Sequence, residues 1–136
     1  TGFSVVTTLA RTIVIAEHLV DRYGLRGHCK AVRATEIAVL GLEDPQSDAY
    51  RKIRDECRQA LAEDGCGALV LGCAGMADLC ERLSAELGVP VIDGVAAAVV
   101  MAEGLVRMGL RTSKRGDYAF PLPKPYSGML APFSCV

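Results

Sequence analysis

The sequence predicts an α/β fold, a three-layer sandwich built around a mostly parallel sheet of four strands. Three observations predict this class. Apolar strand candidates alternate with helical periodicities, the strand candidates are continuous apolar runs, and the segments between them are short. Such runs are typical of parallel strands that are covered by helices on both faces.

The first quarter of the chain predicts a strand and then a helix. Residues 3–8 (FSVVTT) are short and β-branched, and residues 9–23 place apolar side chains at a helical period until Gly24 stops the pattern. Strand-like residues follow around 31–33 and again at 37–42. The sequence leaves the break between these two stretches open.

The middle of the chain predicts a helix, a strand and a second helix. Asp44 and Pro45 have the residue types of a helix cap and a first turn, so a helix is expected from there to Asp64. The apolar residues 68–71 predict a buried strand. A second helix is expected over about 74–87.

The last strand and helix are followed by a tail of different composition. Residues 89–92 predict the fourth strand, Asp93 is a candidate cap, and an almost wholly apolar helix is expected over 95–108. The tail, residues 111–136, contains four of the six prolines. We expect an extended arm there.

Composition excludes several classes of partner. The net charge is −1 and the pI is near 6.1, so no basic surplus predicts binding to nucleic acid or to an anionic membrane. The longest apolar run, residues 95–102, is too short to span a bilayer. No cysteine pair has C-x-x-C spacing, and we predict neither a metal site nor a cofactor.

The six cysteines allow two interpretations of the redox compartment. An even count is compatible with three disulfides, but a chain of 136 residues with 51% hydrophobic residues does not need them. We therefore expect a reduced, cytoplasmic protein. Cys57 and Cys80 fall on apolar helix faces, where core packing is the expected role.

Candidate functional residues collect where the predicted strands end. Ligands of open parallel sheets bind at the carboxyl ends of the strands. Two hydroxyls, two carboxylates and a thiol between glycines are expected at that edge, in Thr7, Thr8, Glu43, Gly72, Cys73, Ala74, Gly75 and Asp93.

Most of these residues also have an ordinary structural role. Thr7 and Thr8 either hold a polar ligand or are simply strand-end threonines. Asp93 either binds substrate or caps its helix, and it can do both. Glu43 either orients another group or is a solvated loop acid.

Cys73 has a physical reason to be reactive. It lies at the start of a predicted helix, where free N–H groups and the helix dipole favour an anion and hence the thiolate. The alternative is a small buried apolar side chain, which is the usual fate of a free cysteine. Neither His18 nor His28 falls at the predicted edge, which argues against a Cys-His protease pair.

Residues 70–76 (VLGCAGM), together with 89–94 (VPVIDG) and 3–8 (FSVVTT), resemble the hydantoin racemases, including allantoin racemases, of the aspartate/glutamate racemase superfamily. The tail motifs KRGDY and PKPY are similar to the end of a hydantoin racemase. The amino-acid racemase branch usually has threonine where this chain has Ala74, so the resemblance points to the hydantoin branch.

The resemblance implies a cofactor-independent racemase acting on a small molecule. Members of the superfamily have two similar α/β domains that face each other across a cleft, and each domain supplies one cysteine. One thiolate removes the proton from the stereocentre and the other thiol returns a proton to the opposite face. Cys73 corresponds to the catalytic cysteine of the second domain. The flanking loop, the two strand-end threonines and Asp93 are then expected to bind substrate.

The resemblance covers the second domain and the C-terminal tail only. Residues 1–93 correspond to the α/β second domain, and residues 94–136 to a helix and Pro-rich tail expected to pack on the missing first domain or on a partner chain. We expect a homo-oligomer or association with that first domain. The alternatives are an amino-acid racemase, a non-catalytic small-molecule binding module, and a redox-sensing thiol protein.

Overall fold

A computed structural model describes residues 2–38, 41 and 48–134. Glu43 and the helix start predicted at Asp44 and Pro45 lie outside these residues. The chain divides into two compact units, Thr1–Met101 and Ala102–Val136.

The first unit is built on a four-stranded sheet, as the sequence predicts. Its strands are β1 (Phe3–Thr7), β2 (Cys29–Ala34), β3 (Ala68–Leu71) and β4 (Val91–Asp93). Their order across the sheet is β2-β1-β3-β4, and every pair is parallel. The predicted parallel α/β class is confirmed.

Three helices pack on this sheet and complete the layers: α1 (Ile13–Arg22), α2 (Ala49–Glu63) and α3 (Cys80–Leu87). Alternate residues of a strand point to opposite faces. One face therefore packs against α2 and α3 and holds the main core, in which the fully buried large side chains include Val6, Ile53, Cys57, Leu69, Met76 and Leu83. The other face, with Val5, packs against α1 through Val20.

Two predicted helices begin later than expected because a 3-10 segment precedes each of them. The first is Ala10–Thr12, where the Thr12 hydroxyl donates to the Leu9 carbonyl at 2.7 Å and favours a turn over a regular helix. The second is Ala74–Leu79, which opens with a 3.0 Å bond from the Met76 N–H to the Cys73 carbonyl. The second strand-like stretch, expected at 37–42, is not a strand at residues 37 and 38.

Helix α4 (Gly94–Arg107) follows β4 directly, and Asp93 caps it as predicted. The Asp93 carboxylate accepts the N–H of Val95 at 2.9 Å and the N–H of Ala96 at 3.0 Å. None of the residues along α4 is buried, although the helix is largely apolar.

The second unit has little regular structure after α4. It contains two 3-10 segments, Gly116–Tyr118 and Gly128–Phe133, and its large apolar side chains are exposed. The Lys114 ammonium lies 5.0 Å from the centre of the Phe120 ring. Within the described ranges, no helix combines the length and the apolar character needed to cross a membrane.

Candidate functional site

The candidate site lies where the direction of the chain across the sheet reverses. From β1 the chain moves outward to β2, and it then returns across the sheet to β3 and β4. The loops that leave β1 and β3 therefore run to opposite faces of the sheet, and such a switch point is where open α/β sheets bind ligands. The register pairs Val6 with Leu71 and Leu71 with Asp93. The predicted strand-end residues after β1, β3 and β4 thus share one edge.

Cys73 stands in the loop after β3, at the entrance to the 3-10 segment. Its backbone is extended, its side chain is a free thiol, and the residue is half-buried between exposed Gly72 and Ala74. Gly75 is exposed as well. Because α3 begins only at Cys80, the predicted placement of Cys73 at the start of a regular α-helix is wrong. Cys73 nevertheless lies at the carboxyl edge of the sheet, partly exposed and partly packed against the core.

Gly72 allows β1 and the Cys73 loop to approach closely. A Cβ atom at this position would lie 3.1 Å from the Thr7 Cβ and 3.2 Å from the Val5 Cγ1. The Gly72 N–H also donates to the Val6 carbonyl at 2.8 Å, which continues the ladder between β1 and β3 past the strand end. A side chain before Cys73 would therefore be crowded for steric reasons, independent of any ligand.

The two strand-end threonines are buried, with 3% and 4% of their surface exposed. The Thr7 hydroxyl lies 2.9 Å from the Thr12 hydroxyl and 3.5 Å from the Gly72 carbonyl oxygen. The Thr7 hydroxyl thus already contacts groups of the protein, while substrate contact by Thr7 or Thr8 stays a prediction. Thr12 was missed by the sequence analysis because no spacing rule connects a strand end to the turn that follows it.

The loop after β2 is hydrogen-bonded to the end of β1 and the loop that follows it. The N–H groups of Thr35 and Ile37 donate to the carbonyls of Thr7 and Thr8, at 3.0 and 3.1 Å. The Glu36 carboxylate between them accepts the Ala10 N–H at 2.7 Å. We call Thr7, Thr12, Glu36, Gly72 and Cys73 the strand-end cluster.

Asp93 directs both carboxylate oxygens to the first turn of α4. Its capping role is confirmed, while substrate binding by this residue stays a prediction. Among the described residues, no group of three His, Cys, Asp or Glu side chains is arranged to hold a metal ion.

The other described cysteines differ from Cys73 in their surroundings. Cys57 and Cys80 are buried in the core, as the sequence predicts, and burial raises the pKa of the Cys57 thiol to about 12. Burial also raises the pKa of Cys80. Cys66 is half-buried like Cys73, but it precedes β3 and directs its sulfur toward the Ala60 carbonyl at 3.6 Å.

Two curated proteins with similar sequences carry the name hydantoin racemase. A hydantoin racemase from Rhizobium meliloti is 52% identical over 126 residues, which cover 93% of this chain and 52% of that protein. A hydantoin racemase from Pseudomonas sp. (strain NS671) is 44% identical over 131 residues, covering 96% of this chain and 53% of that protein. The chain thus spans about half the length of the curated relatives it matches.

Two solved structures are similar as well. An allantoin racemase from Klebsiella pneumoniae matches with a TM-score of 0.83 and 54% identity, covering 98% of this chain and 55% of that chain. An allantoin racemase from Pseudomonas fluorescens matches with a TM-score of 0.78 and 46% identity, covering 93% and 54%. The profile of the Asp/Glu/hydantoin racemase family matches residues 1–102. The chain belongs to the Asp/Glu/hydantoin racemase family.

Proposed function

We propose that this chain supplies one half of a cofactor-independent racemase that inverts C5 of 5-substituted hydantoins, with Cys73 as one of two acid–base thiols. The observation that carries the proposal is the position of Cys73. It is a half-buried free thiol in an exposed, glycine-flanked loop at the switch point of the sheet. The family membership supports the same reaction.

The chemistry suits a thiol in such a loop. The C5 hydrogen of a hydantoin is next to a ring carbonyl, so its removal by the Cys73 thiolate leaves a planar enolate. Donors around the carbonyl oxygen stabilise the negative charge that develops there. The N–H groups of Ala74 and Gly75 in the exposed loop are the proposed donors, since the Gly72 N–H already bonds to the Val6 carbonyl. Protonation of C5 from the opposite face then gives the other enantiomer.

Inversion needs a second acid or base on the far side of the ring. The relatives are about twice as long as the matched region, so they contain a further half that this chain does not align with. We propose that the second thiol comes from such a half or from a second copy of this chain. The exposed helix α4 and the tail, residues 94–136, are proposed to pack on it. The five described cysteines are free thiols, which supports a reducing, cytoplasmic location.

Allantoin is the alternative substrate, because the two structural neighbours are named allantoin racemases. Allantoin is itself a hydantoin with a ureido group at C5, so the same proton transfer applies. The two candidates differ only in the 5-substituent that the site accepts. Parallel assays with 5-methylhydantoin and allantoin therefore decide between them.

The test is to incubate one enantiomer of each substrate with the chain in D2O and to follow optical rotation and deuterium at C5. We expect deuterium uptake that falls about 10³-fold in Cys73→Ser, since the acid–base group is lost. Cys66→Ser is the matched control, because Cys66 is equally half-buried but lies at the other end of β3. It should retain the activity.

The two readouts separate a complete site from a half-site. Loss of rotation together with deuterium uptake means that the chain or its oligomer provides both acid–base groups. Deuterium uptake without loss of rotation means that Cys73 works on one face only. If neither exceeds the uncatalysed background, catalysis of that substrate by this chain is rejected.

A further inference from the structure

Glu36 has an unusual backbone conformation. Its φ angle is +55°, and among the described residues it is the one non-glycine residue with a positive φ. Side chains other than those of asparagine and aspartate rarely adopt this left-handed region. Such a residue persists where the surrounding contacts compensate for the strain.

The contacts of residues 35–37 show what the conformation achieves. The N–H groups on either side of Glu36 bond to β1 and the loop after it, through Thr35 to the Thr7 carbonyl and through Ile37 to the Thr8 carbonyl. The left-handed turn at Glu36 lies between these two bonds. From it the carboxylate reaches the Ala10 N–H at 2.7 Å, a charge-assisted hydrogen bond.

Hydrogen bonds lead from this carboxylate to the Cys73 loop. Ala10 opens the 3-10 segment that ends at Thr12, and the Thr12 hydroxyl lies 2.9 Å from the Thr7 hydroxyl. The Gly72 N–H, next to Cys73, donates to the carbonyl of Val6, the residue before Thr7, at 2.8 Å. The ends of β2, β1 and β3 are thus connected in sequence, beginning at Glu36.

We infer that Glu36 is a positioning residue that holds the loop after β1 and, through it, the Cys73 loop in the geometry of the site. This inference rests on the proposed racemase function. A glycine at position 36 would adopt the same φ without strain, but it would leave the Ala10 N–H without its acceptor. We infer that the strained backbone of Glu36 is retained because its carboxylate accepts the Ala10 N–H.

Three substitutions separate the effect of the backbone strain at Glu36 from the effect of its hydrogen bond to the Ala10 N–H. Glu36→Gly relieves the strain and removes the acceptor. Glu36→Asn tolerates the left-handed region, but its side chain is one methylene shorter and falls short of the Ala10 N–H. Glu36→Gln keeps both the strain and an acceptor oxygen, so it serves as the conservative control.

The measurements are urea unfolding, hydrogen exchange of the Ala10 amide by NMR, and deuterium uptake at C5 of the hydantoin. We expect Glu36→Gly and Glu36→Asn to unfold at equal or higher urea concentration than the original chain. The same variants should exchange the Ala10 amide about tenfold faster and lose about tenfold in deuterium uptake. Glu36→Gln should stay within about twofold of the original chain in both rates. A merely structural role would lower stability and activity together.

The failure of this inference can be distinguished from the failure of the proposed function. If the original chain and Glu36→Gly take up deuterium at C5 equally fast, the positioning role is overturned while the proposed racemase function stands. If the original chain does not exchange the C5 hydrogen, the positioning role of Glu36 is tested by two other rates. These are the hydrogen exchange of the Ala10 amide and the alkylation of Cys73 by iodoacetamide. Both rates changing in Glu36→Gly but not in Glu36→Gln supports positioning, and any other result overturns it.

Discussion

The loop after β3 and helix α2 each carry a cysteine, and the two thiols have opposite surroundings. Cys73 is half-buried between exposed neighbours at the carboxyl edge of the sheet. Cys57 is completely buried against the sheet, and that burial raises its pKa to about 12. Core packing converts a cysteine into an inert apolar side chain. A strand end that opens into a short loop leaves Cys73 partly exposed.

The charged groups at the end of α2 extend the comparison. Arg33 on β2 donates to the Asp64 carboxylate at 2.9 Å, and also to Glu56 and Glu63. The Ser4 hydroxyl donates to Asp64 at 2.7 Å. One arginine on the sheet thus bonds to three carboxylates, and these bonds connect α2 and its C-terminal end to the sheet. In the strand-end cluster, the Thr7 and Thr12 hydroxyls contact each other, the Glu36 carboxylate bonds to the Ala10 N–H, and Cys73 stays partly exposed.

The largest expected difference is the rate at which the two thiols are alkylated. At pH 8 we expect iodoacetamide to modify Cys73 on the order of 10³-fold faster than Cys57, because the buried thiol is shielded and has little thiolate. Peptide mapping by mass spectrometry measures both rates in one sample. In concentrated urea the two rates should become similar. Equal rates in the native protein would remove the basis of the comparison.

A substitution in the α2 region should change the free energy of unfolding but not the alkylation rate of Cys73. We expect Asp64→Asn to lower the free energy of unfolding by about 2 kcal/mol, because the partly buried Arg33 guanidinium loses its closest carboxylate. Urea titration measures the loss. Asp55→Asn is the control on the same helix, since its ion pair with Arg54 is exposed and should contribute under about 0.5 kcal/mol. A change in the alkylation rate of Cys73 in folded Asp64→Asn would contradict the separation of the two regions.

Gly72→Ala tests the steric basis of the strand-end cluster. The added methyl group would meet the Thr7 Cβ at 3.1 Å and the Val5 Cγ1 at 3.2 Å, and both belong to a central strand that cannot move easily. We expect a loss of about 1–2 kcal/mol in the free energy of unfolding. Gly94→Ala is the matched control, because nothing lies within 4 Å of its added Cβ. If both variants unfold at the same urea concentration, the close approach at Gly72 has no energetic consequence.

Acid should weaken the α2 region by a smaller amount. Hydrogen bonds from Arg33 hold the pKa of Asp64 and of Glu63 below their ordinary values of 3.8 and 4.5. The unfolded chain therefore binds more protons than the folded chain in this range, so stability is full above the ordinary values and falls as the pH drops through the lowered ones. Urea titrations between pH 6 and pH 3 follow this loss. In Asp64→Asn the pH dependence should be flatter.

Much of the fold was predictable because local sequence patterns report it. Apolar runs located β1, β3 and β4, while the sequence left open which of two stretches forms β2, and the residue type of Asp93 predicted the cap that its carboxylate makes. The helical period placed Cys57 and Cys80 in the core, where they lie. Each of these inferences depends only on residues that are neighbours along the chain.

Other features of the site depend on contacts between distant segments, and the sequence analysis missed them. Thr12 meets Thr7 only because a 3-10 turn replaces the expected start of α1. Glu36 meets Ala10 only because β2 pairs beside β1. Neither residue belongs to a periodic pattern, so no rule of spacing singles it out.

The sequence by itself determined the α/β class, the alternation of its elements and the thiol after a buried strand, because periodicity and residue type express how each segment is buried. Only the tertiary structure decided which hydroxyls and carboxylates are engaged within the protein. It also showed that α-helix α3 begins seven residues after Cys73 and that a side chain at Gly72 would crowd Thr7 and Val5. Those properties arise where the ends of β2, β1 and β3 lie side by side, which follows from the order of the strands in the sheet.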